Sequence, residues 1–201
     1  MTEAIFGLIG VLIGSVISWF QTYWITKRDE NKNAKYLAIR VVCILDKYME
    51  DCTEVVYDDG LSCGQRTADG SLQSQIQRPS PPLFPEDVDW KSIEHELMYK
   101  ILSFSSDIRQ GDKMIDATNI ITGPPDYQEF FDERKYQYAK FAIVAFELSF
   151  ELASIYNIKK KTYNDWDPLK DMQQELKIVS KRRDKRIISD TDFVKRNIPE
   201  N

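Results

Sequence analysis

Residues 4–26 read AIFGLIGVLIGSVISWFQTYWIT and contain no charged side chain. At about 1.5 Å per residue this stretch forms a helix roughly 35 Å long, enough to cross a hydrocarbon layer of about 30 Å. Aromatic residues gather at its C-terminal end and cations follow directly, as at the lipid–water boundary of a membrane helix. We therefore predict a transmembrane anchor at residues 1–26, with interfacial positions at Trp19, Tyr23, Trp24, Lys27 and Arg28.

Two other interpretations of this stretch are open. A cleaved signal peptide begins with a positively charged segment and ends at small residues, whereas this chain begins Met-Thr-Glu and its apolar stretch runs into aromatic residues. A buried helix of a soluble domain is usually shorter and carries a polar stripe. The sequence favours the membrane span over both.

The distribution of cations predicts the orientation of the span, because Lys and Arg are retained on the cytoplasmic side. No cation precedes the span, and four follow it closely: Lys27, Arg28, Lys32 and Lys35. The N-terminus should therefore face outward and the rest of the chain should lie in the cytoplasm. The spacing of the three cysteines is not that of a disulfide framework, which suits a reducing compartment. We therefore expect them to be small buried thiols.

Small residues recur three or four positions apart within the span, at Gly7, Gly10, Gly14 and Ser18. This spacing places them on one helix face, where a second helix can approach closely. It predicts a homo-oligomer formed through the membrane helix. The competing interpretation is that glycine is simply common in membrane helices.

The rest of the chain predicts an all-α, up-and-down four-helix bundle, since no period-two run of β-branched residues occurs. The helices are predicted at about 27–57, 89–122, 126–158 and 167–187, and 188–201 is predicted to be a flexible tail. Asp89, Asp126 and Asp167 are the predicted N-terminal caps of the last three helices. Gly111 is a candidate interruption of the second helix.

A Pro-, Ser- and Gly-rich stretch, residues 58–87, is predicted to be one long exposed loop. Its proline-rich end is also a candidate docking segment for a proline-binding partner. The third helix is apolar enough at 141–158 to be considered as a second span. Glu147 and Glu151 argue against this, because each would cost about 2.5–3.5 kcal/mol near the middle of a bilayer.

An up-and-down bundle returns its fourth helix toward the bilayer. Its basic residues would then form a membrane-facing collar with Lys27 and Arg28 and contact anionic lipid, at about 1 kcal/mol each. The predicted contacts are Lys181, Arg182, Arg183, Lys185 and Arg186. Alternatively, these cations are a solvated face near a helix C-terminus. Nucleic acid is not an expected partner, because the net charge is −5 and aromatics are not interleaved with the basic run.

Residues with catalytic or metal-binding spacing are nearly absent from the sequence. The one histidine, His95, lies between two glutamates, and adjacent helical residues diverge by about 100°, so the three do not converge on a metal. The cysteines have neither Cys-x-x-Cys spacing nor a phosphate loop beside them. We expect no cofactor, no metal and no catalytic residue.

Three segments carry a resemblance to known proteins: FPEDVDWKS (84–92), LMYKIL (97–102) and PDYQEFFDERKYQY (125–138). With them, the chain resembles a group of uncharacterised bacterial membrane-anchored helical proteins. The resemblance implies a bacterial inner membrane and transfers no functional residue.

The sequence thus favours a non-enzymatic, single-pass membrane-tethered scaffold that binds itself or another protein, because predicted core positions show no convergent polar residues. The alternative is a membrane-associated hydrolytic or lipid-modifying enzyme. Its carboxylate site would be formed between bundle helices by Glu94, Glu147 or Glu151.

Overall fold

The computed structural model describes the backbone of residues 2–122, 127–163 and 166–197, and the side chains of 13–122, 127–163 and 166–188. It contains the α-helices α1 (Thr2–Tyr57), α2 (His95–Ile121), α3 (Gln128–Ile155) and α4 (Pro168–Asn197), with one 3-10 turn at Trp90–Ser92. No strand occurs in this described part of the chain. The prediction of an all-α helical bundle is therefore confirmed.

The helix ends agree with the sequence where strong local signals mark them. α1 ends at Tyr57, and the Asp167 side chain accepts the Lys170 N–H at 3.1 Å at the start of α4. Asp89 instead caps the short 3-10 turn, and α2 begins later, at His95. The predicted Asp126 cap lies outside the described residues. The backbone of the predicted tail from 188 is helical to Asn197.

Helices α1 and α3 form the antiparallel centre of the bundle. Ser149 of α3 donates to Asp46 of α1 at 2.5 Å, and Arg134 of α3 contacts Asp58, just beyond α1, at 2.7 Å. Both helices bury apolar faces at helical spacing. The fully buried positions on α1 include Leu37, Ala38, Val41, Leu45, Cys52, Val55 and Val56, and those on α3 include Tyr138, Ala139, Ala145 and Leu152.

The segment between α1 and α2 runs back along the bundle instead of turning at once. Its Arg78 pairs with Asp112 and Asp116 in the second half of α2, at 3.3 and 2.8 Å. Further on, Asp87 pairs with Arg40 in α1 at 2.9 Å. Because the segment crosses back, α2 starts beside the part of α1 where α1 enters the bundle.

This crossing changes the direction of every later helix. Helix α2 is antiparallel to α3, since Lys100 lies 3.9 Å from Glu151 and Tyr138 donates to Asp112 at 2.9 Å. Helix α2 is therefore parallel to α1. The predicted up-and-down order is wrong, because it assumed a connection that reverses the chain between α1 and α2.

The proline-rich part of this segment is covered by the bundle. Pro82 and Pro85 are buried, and the Trp90 indole donates to the Pro85 carbonyl at 2.9 Å. The Phe84 ring stands edge-on to Trp90, with centroids 6.2 Å apart. The prediction of an exposed loop is wrong here, because the prolines fill space beside α1 and α2. A proline-binding partner would have to unpack them.

Candidate membrane-contact surface and buried charge cluster

The N-terminal half of α1 stands apart from the bundle. Every residue from 13 to 33 is exposed, and the first buried residue is Ala34. This exposed length, which we call the rod, corresponds to about 31 Å of helix. It presents eight large apolar or aromatic side chains, each 52–68% exposed: Ile13, Val16, Ile17, Trp19, Phe20, Tyr23, Trp24 and Ile25.

The predicted interfacial residues lie together on the rod. The Trp19 and Tyr23 rings stack with centroids 6.1 Å apart, and the Lys27 ammonium lies 5.8 Å from the Tyr23 ring centre. Trp24 lies 6.1 Å from the Phe20 ring. A helix end at a lipid interface typically carries aromatic side chains that are followed by a cation lying over one of the rings.

The predicted span lies partly outside the described side chains, since its residues 4–12 are not among them. Gly7 and Gly10 of the small-residue stripe also lie outside. Where the stripe is described, nothing approaches within 4 Å of a Cβ built on Gly14, and Ser18 is exposed. Within the described residues, no helix is both long and apolar enough to cross a membrane.

A buried ion pair joins the start of the α1–α2 segment to α3. Arg134 and Asp58 are in contact at 2.7 Å, with side chains 2% and 1% exposed. Asp58 also accepts backbone N–H groups from Gly60, Gln75 and Ile76, each at 3.0 Å, and Arg134 donates to the Ile76 carbonyl. We call this arrangement the Asp58 clamp.

The charge of Asp58 is stabilised although the side chain is buried. Burial by itself would raise the pKa of Asp58, but the backbone N–H groups of Ile76 and Gly60 and the Arg134 guanidinium outweigh it, so its pKa is lowered. Sequence reasoning missed the pair because its members are 76 residues apart. Arginine side chains are mostly solvent-exposed, so a single arginine in an amphipathic helix gives no indication that it is buried.

The basic residues of α4 face acids of α3. Arg186 contacts Asp132 at 2.7 Å and Glu129 at 3.3 Å, and Arg183 contacts Glu133 at 3.0 Å. Arg182 lies 3.4 Å from Asp132, whereas the neighbouring Lys181 and Lys185 are exposed. Three of the five predicted lipid contacts are therefore paired within the bundle.

The predicted collar of α4 with Lys27 and Arg28 is wrong. Helix α4 reaches the start of α3, near the Asp58 clamp, so its basic run lies at the end of the bundle away from the rod. Tyr57 lies 30 positions after Lys27 on α1, a separation of about 45 Å. No single flat membrane surface at the rod can contact both clusters.

Helix α4 should be held substantially by these charge pairs, because Pro168, Met172 and Val179 are its only buried apolar residues among those described. Arg186→Gln should therefore destabilise the docking of α4 by about 1–2 kcal/mol. Hydrogen exchange at α4 amides should become about tenfold faster. Lys185→Gln, at an exposed neighbouring position, is the matched control. Equal exchange in both variants would show that the pairs do not hold α4.

None of the three carboxylates of the enzyme hypothesis is buried. Glu94 and Glu147 are exposed, and Glu151 lies 3.9 Å from Lys100. His95 is also exposed. No group of potential metal ligands occurs within the described side chains.

Convergent polar residues do occur in the core, contrary to the sequence expectation. Four polar side chains are buried in the N-terminal half of α3: Asp132, Glu133, Arg134 and Gln137. Each has a partner, since Gln137 donates to Glu133 at 2.7 Å, Arg183 and Arg186 of α4 contact the two acids, and Arg134 pairs with Asp58. A fully compensated network of this kind is typical of helix–helix specificity and not of a reactive site.

A groove of about 630 Å³ lies between α3, the start of α4 and the connector that joins them. Phe146, Phe150 and Trp166 contribute its aromatic lining. Two polar groups at the groove already have partners, because Lys160 contacts Asp46 at 2.9 Å and Tyr163 donates to Glu50 at 2.9 Å. Among the described residues that line it, the groove thus presents no free acid–base pair.

The cysteines divide into one buried and two exposed residues. Cys52 lies in the core, where burial raises the pKa of its thiol well above the usual value. Cys43 and Cys63 are exposed, so the prediction of buried thiols is wrong for these two. Both are therefore available as labelling sites on the bundle.

The sequence matches no family model, and no curated protein or solved structure shows significant similarity to it. The functional argument therefore depends on the geometry of the rod and the bundle.

Proposed function

We propose that this protein is a non-enzymatic scaffold whose helical bundle is tethered to the cytoplasmic face of a bacterial inner membrane by the N-terminal part of α1. The observation that carries the proposal is the exposed apolar surface of the rod. Isolated helices are marginal in water, and large contiguous apolar surfaces are rarely left exposed. Lipid around the rod would cover eight large side chains that the bundle leaves uncovered.

The transition from rod to bundle supports a rigid tether. Helix α1 continues from the rod to Tyr57 without an internal break, and residues 27–57 contain neither proline nor glycine. When a helix is continuous, the orientation of its anchored end fixes the orientation of the domain at its other end. The bundle would therefore be held at a fixed angle to the membrane, which suits a platform for binding a second copy or another protein.

The interior of the bundle favours binding over catalysis. Its buried carboxylates are neutralised by arginines, and the carboxylates of the enzyme hypothesis are not buried. Catalytic sites instead place groups with shifted pKa values around a cleft with room for substrate. No specific observation favours the membrane-associated enzyme.

Membrane fractionation of cells that express the full chain tests the anchor. The protein should sediment with membranes and resist alkaline extraction. Val16→Asp together with Ile17→Asp should release most of it, because each charge near the middle of the span costs about 2.5–3.5 kcal/mol. Ile120→Asp with Ile121→Asp is the matched control on α2, where both residues are more than 80% exposed, and it should stay in the membrane fraction. Release of the wild type by alkaline extraction would contradict the proposal.

The exposed cysteines test the orientation. A membrane-impermeant maleimide added to intact spheroplasts should leave Cys43 and Cys63 unmodified until the membrane is permeabilised. Cys52 is buried and should react only after denaturation. Modification of Cys43 in intact spheroplasts would place the bundle outside and contradict the proposed topology.

A further inference from the structure

One face of α1 stays uncovered after the helix enters the bundle. Tyr36 and Ile39 are 58% and 41% exposed, and Cys43 is exposed as well. Core positions of the same stretch, such as Leu37 and Val41, are fully buried on the other side of the helix. Two large apolar side chains and a thiol therefore lie open on a helix that otherwise forms the centre of the bundle.

The uncovered face continues into the rod. At about 100° per residue, these three positions and the rod positions that share their direction fall within a sector of about 80°. We call this sector the α1 face. Six of its members, all exposed, are Gly14, Ser18, Ile25, Tyr36, Ile39 and Cys43. From its first to its last member the face is about 44 Å long. Beyond it the α3–α4 connector lies on α1, since Lys161 contacts Glu50 at 2.8 Å.

The α1 face carries no net charge. Asp29 and Lys32 are the charged residues within the sector, and they pair with each other at 3.1 Å. At its side, Arg40 is neutralised by Asp87 at 2.9 Å. A second helix of the same sequence could therefore lie on this face without meeting an unpaired like charge.

The outer face of α4 shows the opposite pattern. Lys177, Lys181 and Lys185 follow one another at four-residue spacing and are all exposed. The ion pairs of α4 with described residues are made by its arginines instead. A two-fold contact through this face would place lysines against lysines. Of the two faces, that of α1 is the one that suits a contact with itself.

We propose that the α1 face is the contact between two copies of this chain, which form a parallel dimer. The inference rests on the proposed membrane anchor, because anchored copies point in the same direction and lie at the same depth. A two-fold axis along the contact then brings each level of the face opposite the same level of the second copy. Tethering also confines the copies to one surface, which raises their effective concentration.

The shape of the face suits such a dimer. A stripe that repeats about every 3.6 residues follows the axis of a straight helix, so two nearly parallel helices remain in contact along it. Nothing described lies within 4 Å of a Cβ built on Gly14, so the rods can approach closely there. At the level of the bundle, Tyr36 and Ile39 would be covered by the second copy, and the two bundles would lie on opposite sides of the paired helices.

Oxidative crosslinking of the full-length protein in isolated membranes tests the α1 face. With helix axes about 8–10 Å apart, Cα atoms on the contact line lie about 3.5–5.5 Å from each other, within reach of a disulfide. In Cys63→Ser, where Cys43 is the remaining exposed cysteine, copper phenanthroline should convert most of the protein to a covalent dimer. In Cys43→Ser the protein should stay mostly monomeric, because Cys63 lies beyond α1 and off its face.

A charge placed on the face tests whether the second copy is the occupant. In the Cys63→Ser background, Ile39→Lys should lower the crosslinking yield about tenfold, because like charges then meet in the contact. Co-expression with a differently tagged Ile39→Glu form should restore the yield, in mixed dimers only. Leu102→Lys is the matched control, since Leu102 is an apolar residue of α2 that is 44% exposed, and it should change nothing.

Three results would overturn the dimer. The first is an equal yield from Cys43 and Cys63, and the second is a yield that falls in proportion as the reconstituted protein is diluted with lipid, since both indicate random collision. The third is a membrane-bound monomer whose Cys43 is protected from maleimide, which would assign the face to another partner. A membrane-bound monomer contradicts the dimer alone, whereas absence of the protein from the membrane fraction contradicts the anchor and, with it, the parallel arrangement.

Discussion

Arg134→Leu is expected to lower the free energy of unfolding by about 3–5 kcal/mol, because it leaves the buried Asp58 carboxylate without its counter-charge. Three backbone N–H groups still donate to Asp58, but none of them carries a charge. Denaturant unfolding of the full chain in mild detergent, followed by far-UV circular dichroism, measures the loss. Arg182→Leu is the control, since that side chain is 52% exposed and should cost no more than about 1 kcal/mol.

The pH dependence of the same variant provides an internal check. The folded-state pKa of Asp58 is lowered, so its ionised form favours the folded protein. This stabilisation is present above the unfolded-state pKa of about 3.9 and is lost as the pH falls through the folded-state value. Without the guanidinium, the pKa of Asp58 should be higher in the folded variant than in the folded wild type. The stability difference between wild type and variant should therefore narrow as the pH falls through these two folded-state pKa values, and a constant difference would contradict the role of the pair.

The parts of the fold that depend on local chemistry were predictable from the sequence. Helix periodicity and breakers located α1 to α4, and the aspartate–proline pair before α4 marked its start to within one residue. Such signals act over a few residues, so a single sequence contains all of the information.

The direction of α2 was not predictable in this way. A connection as long as the α1–α2 segment can either reverse the chain at once or cross the whole bundle, and the two outcomes differ only in long-range contacts such as Arg78 with Asp112. The end of the bundle at which α3 and α4 pair their charges follows from that direction. An error in one connection therefore moved the basic run of α4 to the wrong end of the molecule.

Gly111 lies in α2, but the reason for a glycine at this position lies in α3. Glycine has a low helix propensity, so the sequence predicted an interruption of α2 at Gly111. The helix nevertheless continues through it, and a Cβ at this position would lie 2.4 Å from Cζ of Phe141. Glycine is required here because α3 approaches closely, which no feature of the α2 sequence reveals.

Gly60→Ala is expected to lower the free energy of unfolding by about 2–5 kcal/mol, for two reasons that add. Its φ of +76° is a left-handed conformation that costs other residues about 1–2 kcal/mol. A Cβ would also lie 2.4 Å from Cζ of Phe131, and such overpacking adds about 1–3 kcal/mol. Phe131 is 2% exposed and stands edge-on to Phe130 at 5.3 Å, so its ring has little room to move.

Gly64→Ala separates the two contributions, because Gly64 has the same φ of +76° and nothing lies within 4 Å of its Cβ position. It should cost only the backbone part, about 1–2 kcal/mol. Combining Gly60→Ala with Phe131→Leu should reduce the extra penalty, since the shorter side chain withdraws the contacting atom. A double-mutant cycle with no coupling between the two substitutions would show that Phe131 does not press on this turn. Coupling would show that the contact between Gly60 and Phe131 helps to position the Asp58 clamp, because the Gly60 N–H donates to Asp58.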